Sequence, residues 1–294
     1  MILRLAASLF FQEPQERPGA THAAVEAAGE HHEETIADYI LHHISDSNTL
    51  EVPFIGEVHL PRIELFGFDL SITKHVVMMW IVAALLLIFL PKIVRSRRSG
   101  GTNRAINFVE AIIVFIREDI LKNYLGHEGR RFEPYLLTAF FFILLCNLLG
   151  AVPYGATATG NIAVTGAMAL LTFLVVQISG IRHHGFIGYF KGLVPGGLPI
   201  FLWPLMFVVE IMGLATKHFS LAIRLFANMT AGHVVIFALL GLIFFVAKSF
   251  FIAPLPLIGA VAISLLEVLV AFLQAYIFTL LSAVFIGAAV HQEH

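Results

Sequence analysis

Cysteine is nearly absent. Cys146 is the only one in 294 residues, which excludes an intrachain disulfide framework and a cysteine-based metal site. Charge is scarce too: Asp, Glu, Lys and Arg make up 13% of the chain, against about 25% in a soluble domain. No Gly-rich loop ending in Lys-Ser/Thr is present to cradle a nucleotide phosphate. The basic residues lack the aromatic interleaving that would point to nucleic acid. No Ser-His or His-Glu-x-x-His arrangement supports an intramembrane hydrolase, and the apolar body holds too few aspartates for an aspartyl dyad. No cofactor is implied. His31–His32, His42–His43, His291 and His294 have no metal-ligand spacing and read as solvated surface residues.

What the chain does have is apolar mass, at 58% of residues. Its charges are unevenly placed. Residues 1–74 carry twelve acidic and four basic side chains, residues 91–131 nine basic and four acidic, and residues 132–294 only nine of either sign. So little polar surface cannot cover a body of this size in water. Lipid is its natural solvent.

Two segments follow from this division: an acidic extracytoplasmic stretch over residues 1–74, and a membrane domain over 75–294. Residues 1–11 have an early basic residue and an apolar run too short to span a bilayer. A signal peptide over 1–20 and an interfacial start are both open readings. A short helix is expected near 34–44. The first span runs from His75 to Val94, with Pro91 and Lys92 marking its end. The basic run at 92–104 beside it places that end in the cytoplasm and the N-terminus outside. Residues 105–123 have the spacing of an amphipathic helix, after which Gly126, Gly129 and Pro134 break the chain. Two further spans, Tyr135–Leu149 and Asn161 to about Ile181, are expected to form a hairpin. The C-terminus then falls on the cytoplasmic side. The last third is longer than a pair of spans requires. Between Pro204 and Ala247 there is no further proline, and one helix over these 44 residues would be about 66 Å long. Leu257–Val290 also exceeds one crossing. Two hairpins and two long, tilted helices are both compatible with this pattern.

A charge at mid-bilayer costs at least about 2.5–3.5 kcal/mol on insertion scales. Residues 200–290 nonetheless hold Glu210, Lys217, His218, Arg224, His233, Lys248 and Glu267. On an ideal helix Glu210 and Arg224 are about 21 Å apart in rise and ~40° in azimuth, whereas His233 lies ~13.5 Å beyond Arg224 and about 180° around. Arg224 and Asn228 share a face at i, i+4. Glu267 and Gln274, seven residues apart, are nearly in line. One permanent cation thus sits between two titratable neighbourhoods. Structural readings stand beside the functional ones. Asn228 and Gln274 are also suited to interhelical hydrogen bonding, His233 to a satisfied core position and Glu210 to an interface. Lys217 and His218 read as interfacial, and Lys248 as snorkelling.

The string SLAIRLFANMTAGH at 220–233 resembles the signature of subunit a of F-type ATP synthases, through Ser220, Leu221, Arg224, Leu225, Asn228, Met229, Ala231 and Gly232. Five further blocks match in order. They are DYILHHI at 38–44, CNLLGAVPY at 146–154, GNIAVTGAMAL at 160–170, PLMFVVEIMGL at 204–214, and LQAYIFTLLSAVFIGAAVHQEH at 273–294. The resemblance covers roughly residues 35–294. It implies an all-α integral membrane protein of about five membrane helices plus an amphipathic one, the last two long and strongly tilted. It implies a bacterial inner-membrane stator subunit, not itself catalytic, that carries protons through two half-channels to and from the carboxylates of a c-subunit ring. Partners would be that ring, b-type stator subunits and lipid. The proton-translocating residues would be Arg224, Glu210, Asn228, His233, Glu267 and Gln274, with Asn147 and Ser220 lining the path. Arg224 would favour deprotonation of a passing ring carboxylate and repel a leaking proton. Some members carry an acid where His233 stands and a histidine where Glu267 stands, so the pair looks exchanged. Some carry an aspartate at Gly150. A secondary ion transporter is the alternative reading, but such proteins often show internal repeats, and none is found here.

Overall fold

The computed structural model describes residues 49–52, 56–61, 64–65, 68–69, 71–98, 103–151, 157–194, 199–246 and 254–291. The expected signal peptide and the helix near 34–44 lie outside the described residues. The first described elements are two short antiparallel ribbons. β1 (Thr49–Val52) pairs with β2 (Gly56–His59), with Thr49 opposite His59, and β3 (Glu64–Leu65) pairs with β4 (Phe68–Asp69). Strands this short leave no periodic signal in sequence, and they add a small feature to described residues that are otherwise mostly helical.

α1 (Lys74–Arg98) runs through Pro91 and Lys92, read in sequence as marking the end of the span, and past Val94. Its apolar part, Lys74–Ile93, is 20 residues long, the length that spans a hydrocarbon core of about 30 Å. Proline inside membrane helices is tolerated where neighbouring groups satisfy the freed backbone. α2 (Arg104–Phe115) starts at Asn103, whose side chain accepts a hydrogen bond from the Arg104 amide at 2.7 Å. A π-helical stretch, Ile116–Leu121, buries Ile116, Ile120 and Leu121, and α3 (Lys122–Leu125) completes the segment. The break falls at Gly126, with φ of 52°. Pro134 is no breaker: it lies within α4 (Gly129–Gly150).

α5 (Ile162–His184) is capped by Asn161, which accepts from the Ala163 amide at 2.9 Å, and its last turn carries Arg182, His183 and His184. α4 and α5 touch through Tyr135 and Thr172, whose hydroxyls are 2.7 Å apart. Both pack more extensively on the last helix than on each other, so the expected hairpin is opened by a third element. α6 (Phe186–Gly192) turns back so that Tyr189 lies on Gly180. Burial pushes the Tyr189 phenol above its ordinary value, and a side-chain hydrogen bond with Gln177 opposes this. A Cβ at position 180 would lie 2.3 Å from the Tyr189 ring. Gly180→Ala is therefore expected to destabilise the α5–α6 corner by about 1–3 kcal/mol, the usual scale of overpacking. Faster proteolysis of the detergent-solubilised chain between residues 184 and 203 is the readout.

The last third resolves into single helices, α7 (Trp203–Val246) and α8 (Pro254–Val290). The apolar part of α7 covers 40 residues, or about 60 Å. That is twice the ~30 Å hydrocarbon core, so only a steep tilt keeps it within lipid. α8 is the hub: it packs on α4, α5 and α7. Leu136, Phe140, Ile143, Leu225, Phe278 and Ile286 join in one buried cluster there. The Tyr276 hydroxyl of α8 also donates to the Asp119 carboxylate at 2.8 Å, pinning α8 to the π-helical stretch. Five helices among the described residues are long and apolar enough to cross a membrane.

Candidate functional site

α7 is two-sided in the region of the arginine motif. His218, Leu221, Ala222, Leu225 and Met229 recur at helical spacing and are buried against the bundle. Ser220, Arg224, Ala227, Asn228 and Ala231 form the opposite, exposed stripe. The same spacing logic that buries the leucines therefore turns Arg224 outward, and it has no hydrogen bond or ion pair among the described residues. Glu210 sits half-buried near the start of α7.

His233 lies at the edge of the buried face. Its Nδ1 is 3.1 Å from Oε1 of Glu267 on α8, and the side chains are 17% and 8% exposed. The acid and the imidazole that looked exchanged in sequence are thus in contact. Gly232 permits this: a Cβ there would lie 2.3 Å from the Glu267 Oε1 atom. On the far side of the ring, Nε2 of His233 is 2.5 Å from Oγ1 of Thr157. Gly150 makes room for that hydroxyl, since a Cβ at 150 would lie 1.8 Å from it.

Asn147, fully buried on α4, braces the site. Its Oδ1 accepts a hydrogen bond from the Thr159 hydroxyl, and its Nδ2 donates to the Ala271 carbonyl of α8 at 3.5 Å. Gln274 is buried one helical turn further along α8. The structure therefore gathers His233, Glu267, Asn147 and Gln274 toward the bundle. It leaves Arg224, Asn228 and Ser220 on the outer face and Glu210 apart. His218, expected at an interface, is instead buried: its Nδ1 is 2.8 Å from the Leu214 carbonyl oxygen, and its ring is wedged against Phe173 and Phe285. Lys217 beside it is exposed.

Sequence reasoning missed Thr157 and Thr159. Their only signal was a run of small polar residues, TATG, directly after a Pro/Gly turn, and such a run reads as connection. Gly150 was noted only as a missing acid. Among the described residues no group of three or more His, Cys, Asp or Glu side chains could hold a metal ion.

Five long apolar helices among the described residues, with an acid–imidazole pair in contact between α7 and α8, define a multi-pass integral membrane protein with an ionisable network among its apolar helices. The profile of the family described as ATP synthase A chain matches residues 76–287. The chain is 54% identical to ATP synthase subunit a of Chloroherpeton thalassium over 259 residues, covering 86% of this chain and 77% of that protein. It is 46% identical over 307 residues to ATP synthase subunit a of Chlorobium phaeobacteroides, covering 97% and 89%. It is 42% identical over 326 residues to ATP synthase subunit a of an Anaeromyxobacter species, covering 98% and 79%. The chain belongs to the ATP synthase subunit a family.

Proposed function

We propose that this chain is the stator proton path of a rotary ATP synthase. Protons pass through two half-channels to and from carboxylates on a ring of c subunits, and Arg224 keeps the two halves apart. The observation that carries this reading is the division of α7. The Arg224 guanidinium, without a partner among the described residues, stands on its exposed face, while His233 and Glu267 pair on its inner side. A guanidinium stays charged under any plausible condition, and an unpaired charge in lipid is costly. Arg224 therefore calls for an anionic partner on another chain, and a membrane carboxylate presented by a neighbouring helix meets that need.

His233 and Glu267 form the relay of the extracytoplasmic half-channel, with Asn147 and Gln274 beside them. An imidazole can donate through one ring nitrogen while it accepts through the other, which suits it to hand protons to and from a carboxylate. Glu210, with Ser220, belongs to the cytoplasmic side of the barrier, and Asn228 stands one turn beyond Arg224 on the same exposed stripe. Residues 1–74 lie outside the membrane on the extracytoplasmic face, residues 75–294 form the membrane domain, and the C-terminus is cytoplasmic. The chain holds no catalytic site of its own and works with the ring and b-type stator subunits in the bacterial inner membrane. A secondary ion transporter needs no such ring, which gives a direct test. The tagged chain, purified in mild detergent, is expected to bring down a small, acid-bearing membrane subunit in multiple copies. Recovery of the chain alone, active in ion transport after reconstitution, would overturn the proposal.

A further inference from the structure

We propose that Thr157 is a positioning residue of the relay, its hydroxyl fixing which ring nitrogen of His233 faces Glu267. This rests on the reading of His233 and Glu267 as a proton relay. Three independent features converge on the hydroxyl. It is 2.5 Å from Nε2 of His233, while Nδ1 of the same ring is committed to Glu267 at 3.1 Å. Thr157 is only 5% exposed, so water does not compete freely for it. The chain also leaves a gap for the hydroxyl at Gly150 and another for the carboxylate at Gly232. The two vacancies lie at opposite ends of one three-group chain, Thr157–His233–Glu267.

Hydrogen-bond chemistry sets the direction. With Glu267 ionised and His233 neutral, the carboxylate can only accept, so Nδ1 carries the proton and Nε2 is the acceptor. Nε2 then takes its hydrogen bond from the Thr157 hydroxyl. In this tautomer the proton sits on the atom that faces Glu267, ready to be passed to it. When the Thr157 hydroxyl hands its proton to Nε2 and takes another from the access side, the ring becomes imidazolium and the hydroxyl rotates to accept from Nε2–H. Transfer of the Nδ1 proton to Oε1 then leaves a neutral ring and a carboxylic acid, one proton having moved. A hydroxyl serves both states because it both donates and accepts. Thr159 cannot substitute, because it is already bonded to Asn147. An aspartate at position 150 would contest the same space, so the glycine and the threonine act as a pair.

The test is a double-mutant cycle on ATP-driven proton pumping in inverted membrane vesicles, with chain content checked by immunoblot. Thr157→Val removes the hydroxyl at constant shape, and Thr157→Ala covers the case in which valine disturbs packing. Each is expected to slow pumping about fivefold, the worth of one neutral hydrogen bond. Thr157→Ser is expected to stay within about twofold of the native rate. In a His233→Ala background, Thr157→Val should add no further loss, because the ring through which it acts is gone. An equal loss in both backgrounds, or failure of Thr157→Ser to restore the rate, overturns the inference while leaving the relay intact. A native rate in His233→Ala itself would instead overturn the relay.

Discussion

Arg224→Ala is expected to abolish ATP-driven proton pumping while the chain still reaches the membrane in normal amount. The fall should be at least about a hundredfold, the scale on which losing one preorganised electrostatic group acts. Stability should change little, because Arg224 is exposed and bonded to nothing else among the described residues. Its removal leaves no buried group orphaned, and a costly charge leaves the lipid-facing surface. Arg224→Lys is expected to restore little: ammonium is a compact point charge that loses its proton when buried, whereas guanidinium keeps its charge and its planar fork of donors. The assay is acidification of inverted vesicles on addition of ATP, read beside the hydrolysis rate. Pumping at the native rate by Arg224→Ala would refute the role of the arginine as a barrier.

The second large effect belongs to His233 and Glu267. Glu267→Ala and His233→Ala are each expected to cut proton flux by about 10²–10³-fold, the range typical of groups that carry a transferring proton. The two losses should not add. Once either member is gone the other has no partner across α7 and α8, so the double variant should resemble the worse single one. Coupling between contacting residues commonly reaches 0.5–3 kcal/mol, and this pair, buried and 3.1 Å apart, belongs at the upper end. Removing one member also leaves the other without its hydrogen-bond partner in a largely buried gap, a loss of about 1–3 kcal/mol. The exchanged variant, His233→Glu with Glu267→His, restores an acid and an imidazole to the same gap. It is expected to pump better than either alanine variant. Strictly additive losses across the cycle, with the exchange no better than the singles, would count against a shared relay.

Much of this arrangement is legible in the sequence, for identifiable reasons. Charges are so few in residues 132–294 that each stands out against its apolar neighbours. Arg224 and Asn228 share a face because helical periodicity requires it, and the structure keeps both on the exposed stripe. The contact of His233 with Glu267 bridges 34 residues, and no local pattern encodes it. Sequence reasoning could offer it only as a reach of Glu267 from the following helix, supported by the apparent exchange of acid and imidazole. Proline misled where it counts for most in water: Pro91 and Pro134 both lie inside helices, because a membrane helix has nowhere better to place its backbone. Thr157 left no trace, because a turn-like composition says nothing about which hydroxyl will find a ring nitrogen. The choice between hairpins and long helices was open to periodicity alone, since both have the same repeat.

The length of α7 has a consequence for how distance is used. A helix whose apolar part runs over 40 residues must lie near 60° from the bilayer normal to fit about 30 Å of hydrocarbon. Each residue then advances only about 0.75 Å in depth, half its rise of about 1.5 Å along the axis. Glu210 and His233 are separated far more across the sheet of lipid than through it. The helix converts what would be vertical spacing into breadth. Over the 23 residues from Glu210 to His233 the depth changes by about 17 Å while the lateral displacement is about 30 Å, so spacing along this helix is laid out mostly in the plane of the membrane.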